Sequence, residues 1–232
     1  CLMATMGNAL MLSQYGDYLI ASEETEPGLG WYYTDWLTAL SRNTSMATLE
    51  IGKQIVDDFI STCARQGQGQ KTTLSVVDLA ELEKTAPQAL KAFSQSTGDL
   101  IRNDSYQTVS RARSSVREFA QSSGIDQVDL VHLAENMGTQ EGRQLSQVLK
   151  SAVKYNLTSR SMTDSWGISI YFPYKKLSSV DSMVKTYEAI GMDAEYTRCI
   201  QDFASLEASG QAASGGTGSP LPTLLGTGSS YG

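Results

Sequence analysis

The sequence predicts an α/β protein in which helices alternate with a few short strands, with an additional helical part after about residue 78. Two stretches indicate strands: Tyr18–Ala21 is a short apolar run, and residues 166–173 (WGISIYFP) alternate β-branched and aromatic side chains before ending at Pro173. A third observation, apolar residues at helical spacing over 45–60, predicts an amphipathic helix. Together these patterns favour a mixed fold.

The first part of the chain alternates helix, strand and loop. The predicted elements are helices at 3–12, at 35–40 after a capping Thr34, and at 45–60, strands at 18–21 and 74–77, and loops at 22–30 and 65–70. Asp78 is placed to cap a further helix. Pro87 lies near the start of another helical stretch, where its missing N–H is tolerated.

The second part is mostly helical. The helical pattern continues over 106–157 with breaks near Gly124 and Gly138, and helices at 180–190 and 193–206 follow the strand at 166–173. Beyond Gly210 the chain is rich in Gly, Ser, Thr and Pro, a composition typical of a flexible linker.

Length and charge limit the function classes. The chain has 232 residues, enough for one large domain or one and a half. Its 18 basic and 25 acidic residues give a net charge of −7, which speaks against a nucleic-acid or anionic-membrane partner. No apolar run approaches the roughly 18 residues that a membrane span needs. The chain begins with cysteine and not methionine, so we expect a processed or truncated polypeptide.

Three cysteines and one histidine are the candidates for nucleophilic chemistry. Cys63 and Cys199 are predicted to be small buried residues, and no CxxC pair indicates a metal site. Cys1 precedes a predicted helix, whose N-terminus favours a thiolate. The only histidine, His132, falls in a predicted helix at 125–137 as a surface or boundary residue, so a catalytic role is not expected for it.

An acidic and aromatic loop follows the first strand. Three carboxylates, on Glu23, Glu24 and Glu26, come before a row of aromatic residues. These aromatic residues are Trp31, Tyr32 and Tyr33. One interpretation is a solvated acidic loop packed by a structural tryptophan. The other is a substrate-binding wall in which carboxylates attract a basic side chain and aromatic rings cover its aliphatic part. Calcium binding by the same acids is conceivable, although no EF-hand spacing is present.

Two further patterns are interpreted structurally. Arg111, Arg113 and Arg117 are predicted to form a solvated basic helix face. The aromatic residues Tyr171, Phe172 and Tyr174 are predicted to pack inside the protein and not to form a ligand platform.

Four sequence strings together resemble the clostripain family of cysteine peptidases, which shares a structural clan with caspases and gingipains. They are CLMAT at 1–5, YLIASEE at 18–24, EPGLGW at 26–31 and GISIYFP at 167–173. Each string is modest, but their order and spacing are specific, and the resemblance runs from Cys1 to about Glu207. It implies a partial caspase-like αβα sandwich with a mostly helical C-terminal extension. The corresponding domains are the second part of a catalytic domain at 1–62, the extension at 63–207 and a linker at 208–232.

The resemblance also implies an activity and partners. Cys1 matches the family nucleophile, while the Asp and Ala of its Asp-Ala-Cys motif and the catalytic histidine would lie upstream. The implied substrate is a peptide or protein with Arg or Lys before the cleaved bond, often with self-processing and sometimes with calcium dependence. The loop after the next strand borders the substrate groove in this clan, which favours Trp31 as a groove wall. Secretion or cell-surface location in a bacterium is implied by the family alone.

Two alternatives to an active peptidase stay open at this point. One is a binding module that keeps the fold and has lost catalysis. The other is an N-terminal nucleophile hydrolase in which the α-amine of Cys1 is the base, a class that predicts an extensive two-sheet sandwich. For the basic pocket, the missing upstream Asp is as good a candidate as the acids of the loop.

Overall fold

A computed structural model describes residues 2–67, 71–103 and 105–209, so Cys1 and most of the predicted linker lie outside the described part. The α/β class is confirmed. Its elements in chain order are α1 (Met6–Leu12), β1 (Tyr18–Ala21), α2 (Thr34–Arg42), α3 (Thr48–Arg65), β2 (Thr73–Asp78), α4 (Leu79–Arg102), α5 (Tyr106–Ser115), β3 (Glu118–Phe119), β4 (Gln127–Asp129), α6 (Leu130–Asn136), α7 (Gln140–Ala152), β5 (Val153–Thr158), β6 (Ser169–Tyr171), α8 (Val180–Ala189) and α9 (Ala194–Ala208).

The strands of the described residues form two small antiparallel sheets. The first has the order β1-β2-β5, with Ala21 opposite Ser75 and an irregularity in the β2–β5 register between Val76 and Val77. The second has the order β3-β4-β6, with Val128 opposite Ile170. An isolated bridge between Thr5 and Ser169 connects the segment after Cys1 to the second sheet.

Helix α4 is the centre of the larger apolar core. Its buried residues Leu82, Ala86, Leu90 and Phe93 repeat at helical spacing, and the helix packs mainly against α7 and α9. Asp78 caps this helix as predicted, accepting a hydrogen bond from Glu81 N at 2.9 Å. The prediction that Pro87 lies near the start of a helix was wrong, because α4 begins about two turns earlier, at Leu79. Burial of the apolar stripe on both sides of the proline offsets the loss of one backbone hydrogen bond.

The prediction of helix over 106–157 was wrong at three strands. β3 and β4 contain two and three residues, which is too short for an alternating pattern to stand out in the sequence. β5 forms directly after α7 because its backbone pairs with β2, a contact across about 80 positions of sequence. The strand predicted at 166–173 is present but shorter, at Ser169–Tyr171.

The predicted domain division after residue 62 falls inside a helix. Thr62 and Cys63 are neighbours inside α3, which continues to Arg65. Strand β1, on one side of that division, pairs directly with β2 on the other side. Cys63 itself is buried in a second, smaller core between α3 and β2, as predicted for this cysteine and for Cys199.

The solvated basic face predicted on α5 was wrong for Arg113. Its side chain is 1% exposed and lies between two buried carboxylates, Glu118 and Asp126, each with an N–O distance of 3.3 Å. Its Nε also donates to Phe172 O at 2.9 Å, and its guanidinium lies 5.0 Å from the centre of the Tyr174 ring. Tyr171 and Phe172 are buried, so the predicted packing role of this aromatic stripe is confirmed.

Candidate active site

The segment that follows Cys1 is fixed by backbone hydrogen bonds on both sides. Ala4 N donates to Ser22 O at 3.0 Å, and Ala4 O accepts from Ser169 N at 2.8 Å. The Ser169 hydroxyl donates to the same oxygen at 3.0 Å. Leu2 adopts a left-handed backbone with φ 57°, an uncommon conformation for a residue with a Cβ atom. The predicted nucleophile itself lies outside the described residues, but the chain next to it is held between the start of the 22–33 loop and β6.

Thr73 on β2 fixes the start of the 22–33 loop. Its Oγ1 accepts from the backbone N–H groups of Glu23 at 3.0 Å and of Glu24 at 3.2 Å, and it lies 3.0 Å from Ser22 Oγ. Ser22 Oγ in turn donates to Glu24 O at 2.7 Å. These bonds satisfy the polar groups of a buried turn, so the loop leaves the sheet in one defined direction.

Glu23 is completely buried, with 0% exposure. Its Oε2 accepts from Gly167 N at 2.9 Å, while no donor reaches its buried Oε1. Burial raises the pKa of Glu23 well above its usual range, and the nearby Asp129 raises it further. Glu23 therefore acts as a contact inside the protein between the loop and the turn before β6.

The carboxylate of Glu24 is also directed inward. It accepts from Ala120 N at 3.1 Å and from Thr25 N and Thr25 Oγ1 at 2.8 and 2.7 Å. Glu24 lines a polar cavity of about 180 Å³ whose wall also includes Lys71 and Arg117. Substrate contact by Glu23 and Glu24 stays a prediction, and the structure gives both carboxylates backbone donors within the protein.

The three aromatic residues of the loop are more accessible. Trp31 is half-buried and packs against the smaller core, and Tyr32 is half-buried as well. Tyr33 is 56% exposed, with its ring centre 5.8 Å from that of Trp36. The loop reaches these rings through a turn in which Gly30 N donates to Pro27 O at 3.1 Å, with Gly30 at φ 69°. Among the predicted wall residues, Trp31, Tyr32 and Tyr33 are therefore the ones with side chains accessible from outside, whereas Glu23 and Glu24 are buried.

Gly167 is a site residue that the sequence analysis missed. Its φ of 98° favours glycine, and an added Cβ would lie 2.8 Å from Ser75 Cβ. Its carbonyl accepts from Ser75 Oγ at 2.7 Å, so both of its backbone polar groups hold side chains of other elements. The string GIS directly before a predicted strand was the available signal, since glycine beside a strand often marks a close backbone approach.

Asp129 is the second residue that was missed. It is buried at the end of β4, where its Oδ1 accepts from His132 N at 2.7 Å and its Oδ2 from Trp166 N at 2.5 Å. Burial raises the pKa of Asp129. The signal in the sequence was an aspartate directly before a helical pattern, which is typical of an N-cap.

His132 is half-buried on α6, and its Nδ1 accepts from Arg117 N at 3.1 Å. Burial lowers the pKa of its ring, which favours the neutral form that this hydrogen bond needs. No group of three potential metal ligands occurs among residues 2–67, 71–103 and 105–209. In the same ranges no helix is both long enough and apolar enough to cross a membrane.

Comparison with solved structures shows that the chain has the fold of caspase-like cysteine proteases. A clostripain from Bacteroides thetaiotaomicron in complex with the peptide inhibitor BTN-VLTK-AOMK is 18% identical with a TM-score of 0.59, over 86% of this chain and 83% of that one. An inactive zymogen C11 protease from Parabacteroides distasonis is 16% identical with a TM-score of 0.58, over 82% of this chain and 56% of that one. A B. fragilis cysteine protease is 16% identical with a TM-score of 0.53, over 82% and 84%.

The family is shown by sequence as well. The model of the clostripain family of peptidases matches residues 1–212, so the chain belongs to this family. No curated protein resembles the chain closely enough to count as a match.

Proposed function

We propose that this chain carries the nucleophile of a cysteine endopeptidase that cleaves peptide bonds after arginine or lysine. The observation that supports this most is that the clostripain-family model matches residues 1–212. The opening string CLMAT at 1–5 resembles the family segment that starts at the nucleophile, which makes Cys1 the proposed nucleophile. The bonds from Ala4 to Ser22 and Ser169 are consistent with this role, because a nucleophile needs a fixed backbone.

The proposed reaction is acyl transfer through a thioester. The Cys1 thiolate attacks the carbonyl carbon of the basic residue. The bond from this carbon to the next amide nitrogen breaks as a histidine protonates the leaving amine. Water activated by the same histidine then hydrolyses the thioester and restores the thiolate. N–H donors stabilise the developing oxyanion.

The histidine is proposed to come from residues upstream of Cys1. The chain has one histidine, His132, and its Nδ1 already accepts a backbone hydrogen bond. A histidine that shuttles protons needs a nitrogen directed at the nucleophile. The dyad would therefore be completed by a segment encoded before Cys1, either in the same chain or as a second chain after self-processing.

The 232 residues alone are accordingly expected to cleave no arginyl or lysyl reporter peptide. Fluorogenic peptides ending in Arg, Lys or Ala would be tested with this chain and with the product of the gene including the residues encoded before Cys1. Cleavage after Arg and Lys by the longer product only is the expected result. Robust cleavage by the 232 residues alone would sink the proposal of an upstream histidine.

The upstream Asp is proposed to bind the basic side chain of the substrate. Glu23 and Glu24 are held by backbone N–H groups, and the cavity beside Glu24 also contains two cationic side chains. Like charges disfavour a lysine or arginine there. The inhibitor bound to the Bacteroides thetaiotaomicron clostripain carries the peptide VLTK, which ends in lysine and supports a preference for basic residues in this chain too.

Trp31 is proposed to form the wall of the substrate groove. Replacing it with alanine is expected to raise KM about tenfold with a smaller change in kcat, because an aromatic contact of about 1 kcal/mol or more is lost in substrate binding. Trp31→Phe should recover most of this loss. The matched control is Trp36→Ala, which removes a ring from the same smaller core. Equal KM changes in the two alanine variants would point to packing and argue against a groove contact.

A non-catalytic binding module is the main alternative. It predicts that the longer gene product binds peptides with basic residues but leaves them intact. The N-terminal nucleophile alternative predicts an extensive two-sheet sandwich, whereas the described residues form two separate three-stranded sheets. It further predicts that activity survives in this chain alone and is lost when the α-amine is blocked.

Location and calcium dependence follow from the family in this proposal. A secreted C11 cysteine protease from Bacteroides thetaiotaomicron has the same fold with a TM-score of 0.52, and we propose that this protein is also exported or exposed at the cell surface. No group of three His, Cys, Asp or Glu side chains occurs among the described residues, so a calcium site there would also need carbonyl oxygens or water as ligands. Adding a chelator to the active protein tests this directly.

A further inference from the structure

Two buried carboxyl groups accept hydrogen bonds from consecutive backbone N–H groups of one turn. Glu23 follows β1 and Asp129 ends β4, and each side chain is 0% exposed. Asp129 Oδ2 accepts from Trp166 N, and Glu23 Oε2 accepts from the next N–H, that of Gly167. Trp166 N and Gly167 N are consecutive along the backbone, so the two carboxyl groups that accept from them lie close together, and the charge of Asp129 contributes to the raised pKa of Glu23. Two negative charges this close inside the protein repel each other, so the pair needs a proton.

The hydrogen bonds indicate which residue carries that proton. Both oxygens of Asp129 accept backbone N–H groups, from His132 and from Trp166. A proton on either Asp129 oxygen would therefore have to share that oxygen with a backbone N–H that already donates to it. Glu23 Oε1, in contrast, is buried and receives no donor from the described residues. A hydroxyl at this position would donate to Asp129 and leave every other hydrogen bond in place.

We propose that Glu23 is a neutral carboxylic acid at neutral pH, that its Oε1 donates a proton to the Asp129 carboxylate, and that this acid pair positions the 166–167 turn against the segment that follows Cys1. The link to that segment is short. Ser169, two residues after Gly167, donates to Ala4 O, and Ser22, one residue before Glu23, accepts from Ala4 N.

The surroundings of the pair support a retained proton. Burial is the largest cause of the raised pKa of Glu23, followed by the charge of Asp129. Arg117 is the cation that acts on Glu23, and its guanidinium donates to the carbonyl and hydroxyl of Thr163. The neighbouring Glu24 points its carboxylate to Ala120 N, and β2 contributes the uncharged Thr73. The His132 ring, on α6, accepts from Arg117 N and is held neutral by burial.

The expected effect of the acid pair on catalysis rests on the proposed peptidase function, whereas the shared proton itself does not. When the pH rises far enough, hydroxide removes the shared proton and the two carboxylates repel. The contact with Gly167 N then loosens, and the segment after Cys1 loses its support from both Ser22 and Ser169. We therefore expect kcat/KM to fall on the alkaline side through the titration of this pair. Glu23 is a positioning residue in this scheme, because it does not touch the substrate.

Glu23→Gln mimics the protonated acid permanently. Its amide nitrogen donates to Asp129 and its oxygen accepts from Gly167 N, so the alkaline fall of kcat/KM should be absent in this variant. Glu23→Leu removes the bonds to Asp129 and to Gly167 N, so this variant should lose activity at every pH. Glu23→Gln keeps both bonds and should retain activity. Asp129→Asn should be tolerated worse than Glu23→Gln, since its amide would face the N–H of Trp166 or His132.

The protonation state can be measured without any peptidase activity. In the gene product with the residues encoded before Cys1, infrared difference spectra at neutral pH should show the carbonyl band of a buried carboxylic acid. Glu23→Gln should remove this band, and the control Glu24→Gln should keep it. Absence of the band in the wild-type protein, or its persistence in Glu23→Gln, overturns the proposal.

The pH dependence of unfolding gives a second readout. The unfolded chain releases the Glu23 proton near the ordinary pKa of 4.5, whereas the folded chain keeps it to higher pH. The folded state binds one more proton in this window, so stability falls as pH rises, and the unfolding constant should increase about tenfold per pH unit relative to Glu23→Gln. Equal slopes in the two proteins contradict the proposal.

The outcomes separate the two proposals. A protein that shows the band and the slope but cleaves no peptide refutes the peptidase function and supports the acid pair. A protein that cleaves peptides with the same alkaline limb in the wild type and in Glu23→Gln refutes the positioning role of the pair.

Discussion

Replacing Cys1 with alanine is expected to lower kcat/KM for arginyl and lysyl peptides by about 10⁴-fold or more in the gene product that includes the residues encoded before Cys1. Loss of a nucleophile removes the covalent pathway and leaves only binding and electrostatic effects. The measurement is hydrolysis of a fluorogenic arginyl peptide, together with labelling by a chloromethylketone that carries arginine.

The two other cysteines provide the controls for this variant. Cys63 and Cys199 are buried, and burial raises the pKa of both thiols, to about 12 for Cys199. Their thiolates are therefore scarce at neutral pH, and Cys63→Ala and Cys199→Ala should keep both hydrolysis and labelling. Retained labelling in Cys1→Ala, or its loss in Cys63→Ala without unfolding, would contradict the assignment of Cys1 as nucleophile.

Arg113→Leu is expected to destabilise the protein by about 3–5 kcal/mol, because it removes the buried cation that two buried carboxylates share. Asp126 then has no cationic partner among the described residues, and Glu118 keeps only its ion pair with Lys175. Glu118 and Asp126 are 6% and 0% exposed and pair with the same guanidinium. Asp126 also accepts the backbone N–H groups of Tyr174, Lys175 and Lys176, so the loop after β6 should loosen as well. The measurement is the free energy of unfolding in urea.

The neighbouring Arg111→Leu is the matched control. Arg111 lies on the same helix and is exposed, so its replacement should change stability by no more than about 0.5 kcal/mol. Arg113→Lys should fall between the two, since it keeps the charge but loses the fork that reaches both carboxylates. Equal free energies of unfolding for the two leucine variants would show that the buried cluster does not stabilise the fold.

Predictions from local patterns were confirmed where a single element supplies its own signal. The strand at Tyr18–Ala21 and the cap at Asp78 are present at the expected residues. Predicted helix ends differ from the observed ones by a few residues, as for Thr48–Arg65 against 45–60. Apolar periodicity and capping are properties of neighbouring residues, so the sequence displays them directly.

Predictions failed where a partner distant in sequence decides the outcome. The solvated interpretation of Arg113 rested on the charges along its own helix, whereas Asp126 and Phe172 O bury it from elsewhere in the chain. Pro87 looked like a helix start because its neighbours alone do not reveal that α4 packs along its whole length. In both cases tertiary packing outweighed the local preference.

The sequence by itself determined the mixed class and the family, because these depend on residue order alone. Only the tertiary structure brought Glu23 to Asp129 and Gly167, residues more than 100 positions away from it. It also showed that Glu23 and Glu24, two predicted substrate contacts, accept hydrogen bonds from backbone N–H groups, since a buried N–H requires a partner. The segment after Cys1 is likewise held by long-range bonds, from Ala4 to Ser22 and to Ser169, which no local pattern of residues displays.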